Sequence, residues 1–233
     1  MTLWRAAPWL PQGVVVAVVD PGVGTSRRAV AIEVALGTGA GGAAGPGSSA
    51  GPRGAEDTLV FVGPDNGLLT LGAFTVGVPR RAVALSGSRP PGRGATFDGR
   101  DVFAPAAGYI AGGVDLDELG TWAALDSLVG DRHFPRPQKQ EGGVVAEVVW
   151  QDGYGNLQLA ATPADVAGAR TLRLTGAVNE EVRVVDAFAD LPAGRLGVVV
   201  DSYGLLALCV NGGSAAETTG LGPRGKVGMR PGM

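Results

Sequence analysis

Apolar residues in the first half of the chain form short runs that end in polar turns. Runs rich in β-branched residues predict buried strands at 14–19, 29–34, 59–62 and 82–85. A stretch of helical composition follows at 102–111, and Pro105 is expected in its first turns. Because strands alternate with helices over this half, the pattern predicts an α/β domain with a mostly parallel sheet.

The second half has a different pattern. Short apolar runs are separated by Gly, Asn and Asp at near-regular spacing, at 144–150, 157–159, 171–174, 182–185, 196–200 and 205–210. Such spacing is typical of a small all-β sandwich or barrel.

Composition places the boundaries between these regions. We predict an α/β N-terminal domain over 1–135, a polar, proline-bearing linker over 136–142 and a barrel-like C-terminal domain over 143–233. Residues 37–54 are almost wholly Gly, Ala, Ser and Pro, which cannot bury enough apolar surface to offset the entropy of ordering. That segment is predicted to be a disordered surface loop.

Charge and cysteine content exclude several classes of partner. The net charge is −3 and Lys and Arg do not cluster, so neither nucleic acid nor an anionic membrane surface is expected to bind. No apolar run approaches the ~20 residues that cross a bilayer. The single cysteine, Cys209, lies inside an apolar run, which fits a buried side chain and a cytoplasmic setting.

The turn at 20–28 carries the most suggestive chemistry. Asp20 follows a predicted strand, at the edge of an α/β sheet where ligands collect, and Arg27 returns a positive charge toward it. Taken alone, the segment is equally compatible with a tight turn whose aspartate caps backbone amides and whose arginines are solvated.

Two turns in the second half are also chemically dense. Residues 152–156 (Asp-Gly-Tyr-Gly-Asn) and 201–204 (Asp-Ser-Tyr-Gly) each place an aromatic ring beside carboxylate, hydroxyl or amide groups. A flat polar ring requires such a site. Ordinary hairpin turns use the same residues, and that alternative stays open.

Together, five segments in this order resemble the S-adenosyl-L-methionine hydroxide adenosyltransferases, which are related to fluorinases and chlorinases. The segments are 20–28, 63–70, 96–107, 152–157 and 201–206. The resemblance implies an α/β domain, a β-barrel-like domain and a homotrimer with active sites between subunits. It also implies attack of water or hydroxide at the 5′ carbon of S-adenosylmethionine, giving adenosine and methionine, with no cofactor. No metal is expected, because the single histidine and cysteine are far apart in sequence and no carboxylate group has ligand spacing.

The resemblance further implies a triad that holds the nucleophilic water. Its first two members match Asp20 and Arg27, but the third, a histidine in the family, is Asp98 here, and His133 does not match. Two carboxylates around one guanidinium can still serve if one accepts the proton from water. The alternatives are that Asp98 only caps the following helix, leaving an impaired S-adenosylmethionine- or adenosine-binding protein, or that the chain is a halogenase.

Six substrate contacts are implied by the same matching: Asn66, Asp152, Tyr154, Asn156, Ser202 and Tyr203. Asp152 and Ser202 match positions that hold the methionine amine and carboxylate, and Tyr154 and Asn156 match positions around the adenine. Tyr203 stands where halogenating relatives carry an arginine, which favours the hydroxide reaction.

One departure from the family concerns the start of the sequence. Family members begin with a strand carrying Thr-Asp-Phe-Gly, whose aspartate holds the ribose, and no such strand precedes Trp4 here. Either the start has been assigned too far downstream, which we expect, or the chain is a true truncation that lacks a sheet strand and part of the ribose contact.

Overall fold

The computed structural model describes residues 2–36, 57–87 and 94–232. These residues separate into two compact units, Met1–Phe134 and Pro135–Met233. The loop predicted at 37–54 lies outside the described residues.

The first unit combines a sheet with short helices. Its strands are β1 (Gly13–Val16), β2 (Ala29–Leu36), β3 (Thr58–Pro64), β4 (Gly77–Leu85) and β5 (Gly120–Ala123). Its α-helices are α1 (Thr2–Ala6), α2 (Thr70–Val76) and α3 (Ala104–Ala111), with a π-helix at Gly99–Phe103 and 3-10 helices at Ala7–Trp9, Leu116–Glu118 and Leu125–Ser127. Pro105 lies in the first turn of α3, as predicted.

The sheet is mixed, so the prediction of a mostly parallel sheet was wrong. The strand order is β1-β3-β2-β4-β5, and within the described residues β1 and β3 are the one parallel pair of neighbours. The chain reverses after β1, and β2 therefore runs antiparallel between β3 and β4. The carboxyl ends of β1, β3 and β4 and the amino end of β2 consequently share one edge of the sheet.

The first strand is less buried than its sequence predicts. It was expected to be covered on both faces over 14–19, yet β1 ends at Val16, whose exposure is 44%, and Val19 is 65% exposed. Among the described strands β1 pairs with β3 alone, so it is an edge strand of the sheet.

Both faces of the sheet are covered by apolar side chains. On one face Ile32 and Phe61 pack with Leu69 and Ala73 near and within α2. On the other, residues including Val62 and Val83 pack with Phe103 and Ala106 from the π-helix and α3. This second core fixes the π-helix, and with it the position of Asp98 immediately before.

The second unit is a closed β-barrel, and the prediction of a barrel-like domain is confirmed. Its elements are β6 (Gln138–Gln140), β7 (Gly143–Gln151), β8 (Leu157–Leu159), β9 (Thr171–Gly176), β10 (Glu181–Val185), β11 (Leu196–Val200), β12 (Leu206–Val210), α4 (Ala215–Thr219) and β13 (Lys226–Pro231), with 3-10 helices at Pro163–Val166 and Phe188–Asp190.

In the described part of this unit seven strands close the barrel in the order β13-β9-β10-β11-β12-β8-β7, and β13 pairs back onto β7. Inward side chains such as Leu157, Leu174 and Leu208 are fully buried in its core. The predicted linker at 136–142 contains β6, which adds to β7 outside the closed ring.

No helix in the described ranges is both long and apolar enough to traverse a lipid bilayer.

Candidate functional site

A tight turn after β1 brings Arg27 back toward Asp20. The Val23 amide donates to the Asp20 carbonyl at 3.2 Å, and the Thr25 hydroxyl donates to the Gly22 carbonyl at 2.6 Å. The Arg27 amide in turn donates to the Thr25 hydroxyl oxygen at 3.3 Å. These short-range bonds bend the chain so that residues 20 and 27 face each other.

Asp20, Arg27 and Asp98 form one buried ion cluster. Arg27 Nε donates to Asp20 Oδ1 at 3.1 Å, and Arg27 Nη2 donates both to the other Asp20 oxygen and to Asp98 Oδ2, the latter at 2.9 Å. Their side chains are 6%, 9% and 5% exposed, in the order Asp20, Arg27, Asp98. Two carboxylates around one guanidinium give the cluster a net negative charge when all three groups are ionised.

Further contacts fix the guanidinium. Arg27 Nη1 donates to the Arg28 carbonyl at 3.0 Å. The guanidinium carbon lies 5.3 Å from the centre of the Phe103 ring, which is fully buried. A guanidinium held on an aromatic face and by four hydrogen-bond acceptor oxygens is oriented before any ligand arrives.

Asp98 does not act as the helix cap that was the alternative reading. It is the residue before the π-helix, and within the described structure its side chain makes no capping hydrogen bond there. Its carboxylate accepts from Arg27 instead. The contact spans 71 positions in sequence, so it joins the turn after β1 to the segment after β4 at the shared sheet edge.

A second ion pair, which the sequence reasoning missed, supports this turn. Arg28 Nε donates to Asp65 Oδ2 at 2.8 Å, and Arg28 Nη2 donates to the Ser127 carbonyl at 2.7 Å. Asp65 is buried and also accepts from the Val129 amide at 2.8 Å. The sequence signal that could have revealed this ion pair is the adjacent pair of arginines, Arg27 and Arg28. In the structure the two arginines bind different carboxylates and have different surroundings.

Asn66 lies beside the cluster, with its side chain bonded to the main chain. Its Nδ2 donates to the Val19 carbonyl at 2.9 Å, and its Oδ1 accepts from the Leu68 amide at 3.1 Å. The residue is exposed. Asn66 thus holds the backbone immediately before Asp20.

In the second unit, Asp152 organises its own turn. Asp152 Oδ1 accepts from the amides of Tyr154 and Asn156, both at 2.9 Å, and Asp152 Oδ2 accepts from Asn156 Nδ2 at 2.8 Å. The Tyr154 ring is 83% exposed. The turn therefore presents an aromatic ring on a backbone held by a carboxylate.

Ser202 and Tyr203 lie in a separate turn between β11 and β12. Both residues are exposed, and the neighbouring Asp201 accepts from the Tyr203 amide at 2.8 Å. Because β8 and β12 are antiparallel neighbours, the turns that precede them lie at opposite ends of the three-residue β8, about 10 Å apart along the strand.

The structure thus brings together the three predicted catalytic residues, and it groups the five predicted contacts of the second unit into two turns. Residues 54–120 match the N-terminal domain of the SAM hydroxide adenosyltransferases, and residues 146–228 match their C-terminal domain. The chain belongs to the SAM hydroxide adenosyltransferase family.

The chain is also similar to named enzymes. An (R)-S-adenosyl-L-methionine hydrolase of Salinispora arenicola is 40% identical over 95% of this chain and 76% of its own. A fluorinase of Actinoplanes sp. is 31% identical over 87% of this chain and 72% of its own. The crystal structure of an uncharacterized conserved protein from Thermotoga maritima superposes with a TM-score of 0.74 at 26% identity, covering 98% of this chain and 81% of that one.

Proposed function

We propose that this protein hydrolyses S-adenosyl-L-methionine to adenosine and L-methionine. The observation that carries the proposal is the buried Asp20–Arg27–Asp98 cluster at the shared sheet edge, in a chain of this family. The 40% identity to an enzyme named (R)-S-adenosyl-L-methionine hydrolase supports the same reaction.

The proposed reaction requires positioning of the water nucleophile more than acid catalysis. An oxygen of water forms a bond to the 5′ carbon while the carbon–sulfur bond breaks, and its electron pair stays on sulfur as neutral methionine. The water releases one proton as the sulfonium charge disappears. Because the sulfonium already leaves readily, the enzyme has to hold the oxygen in line and remove part of its solvent.

In this proposal Asp20, Arg27 and Asp98 hold the nucleophilic water. Arg27 donates three hydrogen bonds to the two carboxylates and one to the Arg28 carbonyl, so a water beside the cluster would donate to a carboxylate oxygen, and that carboxylate would accept the proton. The net negative charge of the cluster also attracts a cationic sulfonium substrate.

We further propose that the second unit holds the two ends of the substrate. Asp152 and Ser202 would bind the methionine amine and carboxylate, and Tyr154 and Asn156 would bind the adenine. Tyr203 and Asn66 would complete the contacts. Asp152 Oδ2 accepts one hydrogen bond within the turn, which leaves it capacity for an ammonium donor.

The oligomer belongs to the same proposal. The complete site would form in a homotrimer, between the N-terminal domain of one subunit and the C-terminal domain of the next, in the cytoplasm. The substrate itself supplies the reactive sulfonium, and the proposed reaction uses no cofactor or metal.

A second candidate is binding of S-adenosylmethionine without turnover. The specific observation in its favour is that a carboxylate occupies the triad position where the family carries an imidazole. Halogenation is a weaker candidate, because two buried carboxylates repel the halide ion that would have to replace water.

The test is incubation of the purified protein with S-adenosylmethionine in ¹⁸O-labelled water. We expect adenosine and methionine in equal amounts, with the label in the 5′ hydroxyl of adenosine. Arg27→Ala should abolish product formation, since both carboxylates lose their shared donor.

A matched control is Arg81→Ala, which removes another guanidinium paired with carboxylates, Glu33 and Asp115, in the same unit. It should retain turnover in the folded protein. Saturable binding with no product would favour the second candidate, and absence of both binding and product would contradict the proposed function.

A further inference from the structure

The two turns of the second unit have the same hydrogen-bonded architecture. In each, an aspartate is followed two positions later by tyrosine and three positions later by glycine. Asp152 Oδ1 accepts from the amides two and four residues ahead at 2.9 Å, and Asp201 Oδ1 does the same at 2.8 and 3.0 Å. In both turns the aspartate amide also donates to the carbonyl four residues ahead.

The same backbone also requires glycine at the fourth position of each turn. Gly155 has φ +82° and Gly204 has φ +74°, a region that residues with a Cβ rarely adopt. The two turns therefore share the same hydrogen-bonding pattern and the same positive φ at their fourth residue.

The two turns differ in the side chain that donates to Oδ2 of the aspartate. In the first turn that group is Asn156, which belongs to the turn itself. In the second it is Gln158, whose Nε2 donates to Asp201 Oδ2 from the neighbouring strand β8. Gln158 is 3% exposed and Asp201 is half-buried, so the bond joins a buried donor to a partly exposed acceptor.

Gln158 consequently joins the two turns. It stands two residues after Asn156, on the strand that continues the first turn, and its side chain bonds the aspartate that shapes the second. The two turns are therefore connected by one short strand and one part-buried hydrogen bond.

We infer that Asp201 and Gln158 are positioning residues for substrate binding, an inference that rests on the proposed function. They hold Ser202 and Tyr203 at a fixed distance from the turn of Asp152, so that the residues assigned to the methionine carboxylate keep their position relative to those assigned to the methionine amine and the adenine. Neither residue takes part in bond making, which is assigned to the cluster of the first unit.

This inference predicts a change in KM without a comparable change in kcat. Gln158→Leu keeps the side-chain size but removes the buried donor to the half-buried Asp201 carboxylate. A hydrogen bond to a charged group is worth enough for us to expect KM to rise roughly tenfold or more. The turnover number should stay within about twofold, because the cluster is untouched.

Gln158→Glu gives a readout that a general loss of stability does not produce. Two carboxyl groups within hydrogen-bonding distance, that of Asp201 and the one introduced at position 158, share one proton, which raises the pKa of the pair. At low pH the introduced group is protonated and donates to Asp201, so KM stays near that of the unmodified protein. As pH rises the proton is lost, the carboxylates repel each other and KM increases.

Rescue is expected from exchanging the two side chains. In Asp201→Asn/Gln158→Glu the amide and the carboxylate trade places, and the asparagine oxygen still accepts from the turn amides. KM should return toward its original value and lose its extra pH dependence. Gln140→Glu, the same chemical change on β6 at the far end of β7, should leave KM and its pH profile unchanged.

Turnover and calorimetric binding of S-adenosylmethionine are measured for each protein over a range of pH, with thermal melting to verify folding. An unmodified protein that neither binds nor converts the substrate overturns the proposed function, and this inference with it. An active unmodified protein whose Gln158→Glu variant shows the control's KM profile overturns the inference alone. If Gln158→Leu does not fold, the pH profile of Gln158→Glu decides.

Discussion

At the scale of single residues, the central feature is one guanidinium shared by two buried carboxylates. Arg27 donates to Asp20 through Nε and Nη2, and Nη2 also donates to Asp98. A carboxylate in the third position accepts hydrogen bonds but, when ionised, donates none, whereas an imidazole can do both. Because Asp98 stands at the position of the family's histidine, this position accepts a hydrogen bond from a bound water but, when ionised, donates none to it.

Asp98→His should accelerate the proposed reaction. An imidazole restores a group that takes a proton near neutral pH, and a positioned base of matched pKa contributes roughly 10² to 10⁴-fold in enzymes. We expect at least a severalfold rise in adenosine release at saturating substrate. Asp98→Asn, which keeps the shape and removes the charge, is the matched control and should slow it. A folded Asp98→His protein with an unchanged or lower rate would contradict the assigned role.

The grouping of the catalytic candidates could be predicted from the sequence, but their supporting contacts could not. Asp20 and Arg27 are seven residues apart in one turn, and Asp98 lies in a recognisable motif. Gln158 carries no such mark, because its importance arises from which strand lies beside β8 in the folded barrel. Side chains that act across a sheet are invisible until strand adjacency is known.

At the scale of elements, the two matched turns differ in how tightly they are packed. A Cβ at position 155 would overlap Ser214 Oγ, whereas none of the described atoms lies within 4 Å of a Cβ at position 204. Ser214 caps α4 by accepting from the Glu217 amide. The first turn is thus packed against the start of a helix, and the second faces open space.

Alanine at these two glycines should therefore cost different amounts of stability. Both changes force a Cβ into the left-handed region, at about 1 to 2 kcal/mol. Gly155→Ala also displaces the helix cap, at about 1 kcal/mol more. Urea unfolding of the two variants measures the difference, and equal losses would contradict the packing described here.

Strands were predictable where apolar side chains alternate or run together, as in the six runs of the second half, each of which is a strand. The missed strands lack that signal. β13 reads Lys-Val-Gly-Met-Arg-Pro and β5 reads Gly-Thr-Trp-Ala, so glycine, proline and charge interrupt the pattern. Strand direction was mispredicted because β2 inserts between β3 and β4, a choice made by tertiary packing.

At the scale of the whole molecule, the second unit contains an apolar cluster besides the barrel core. It is formed by Val185, Leu191, Val199, Ala207 and Cys209. The cysteine is fully buried, and burial raises the pKa of its thiol from 9.0 to about 11. The thiol of the folded unit is therefore shielded, and it stays neutral below about pH 11.

Thiol labelling and alkaline unfolding should both report this burial. Between pH 9 and 11 the unfolded chain loses the thiol proton that the folded chain retains, so stability falls with rising pH, by roughly 2 to 3 kcal/mol. Cys209→Ala should flatten that part of the profile. An aromatic disulfide reagent at pH 8 should react only after denaturant is added, and rapid reaction of the native protein would contradict the prediction.

The barrel's closing strand has a consequence for biosynthesis. β13 supplies a neighbour to both β7 and β9, yet it is the last strand of the ring to leave the ribosome. Until residues 226–231 emerge, both earlier strands expose unsatisfied backbone amides and carbonyls, the groups through which nascent chains stick to one another. Slow translation just before this strand would prolong that vulnerable interval, whereas quick release would shorten it.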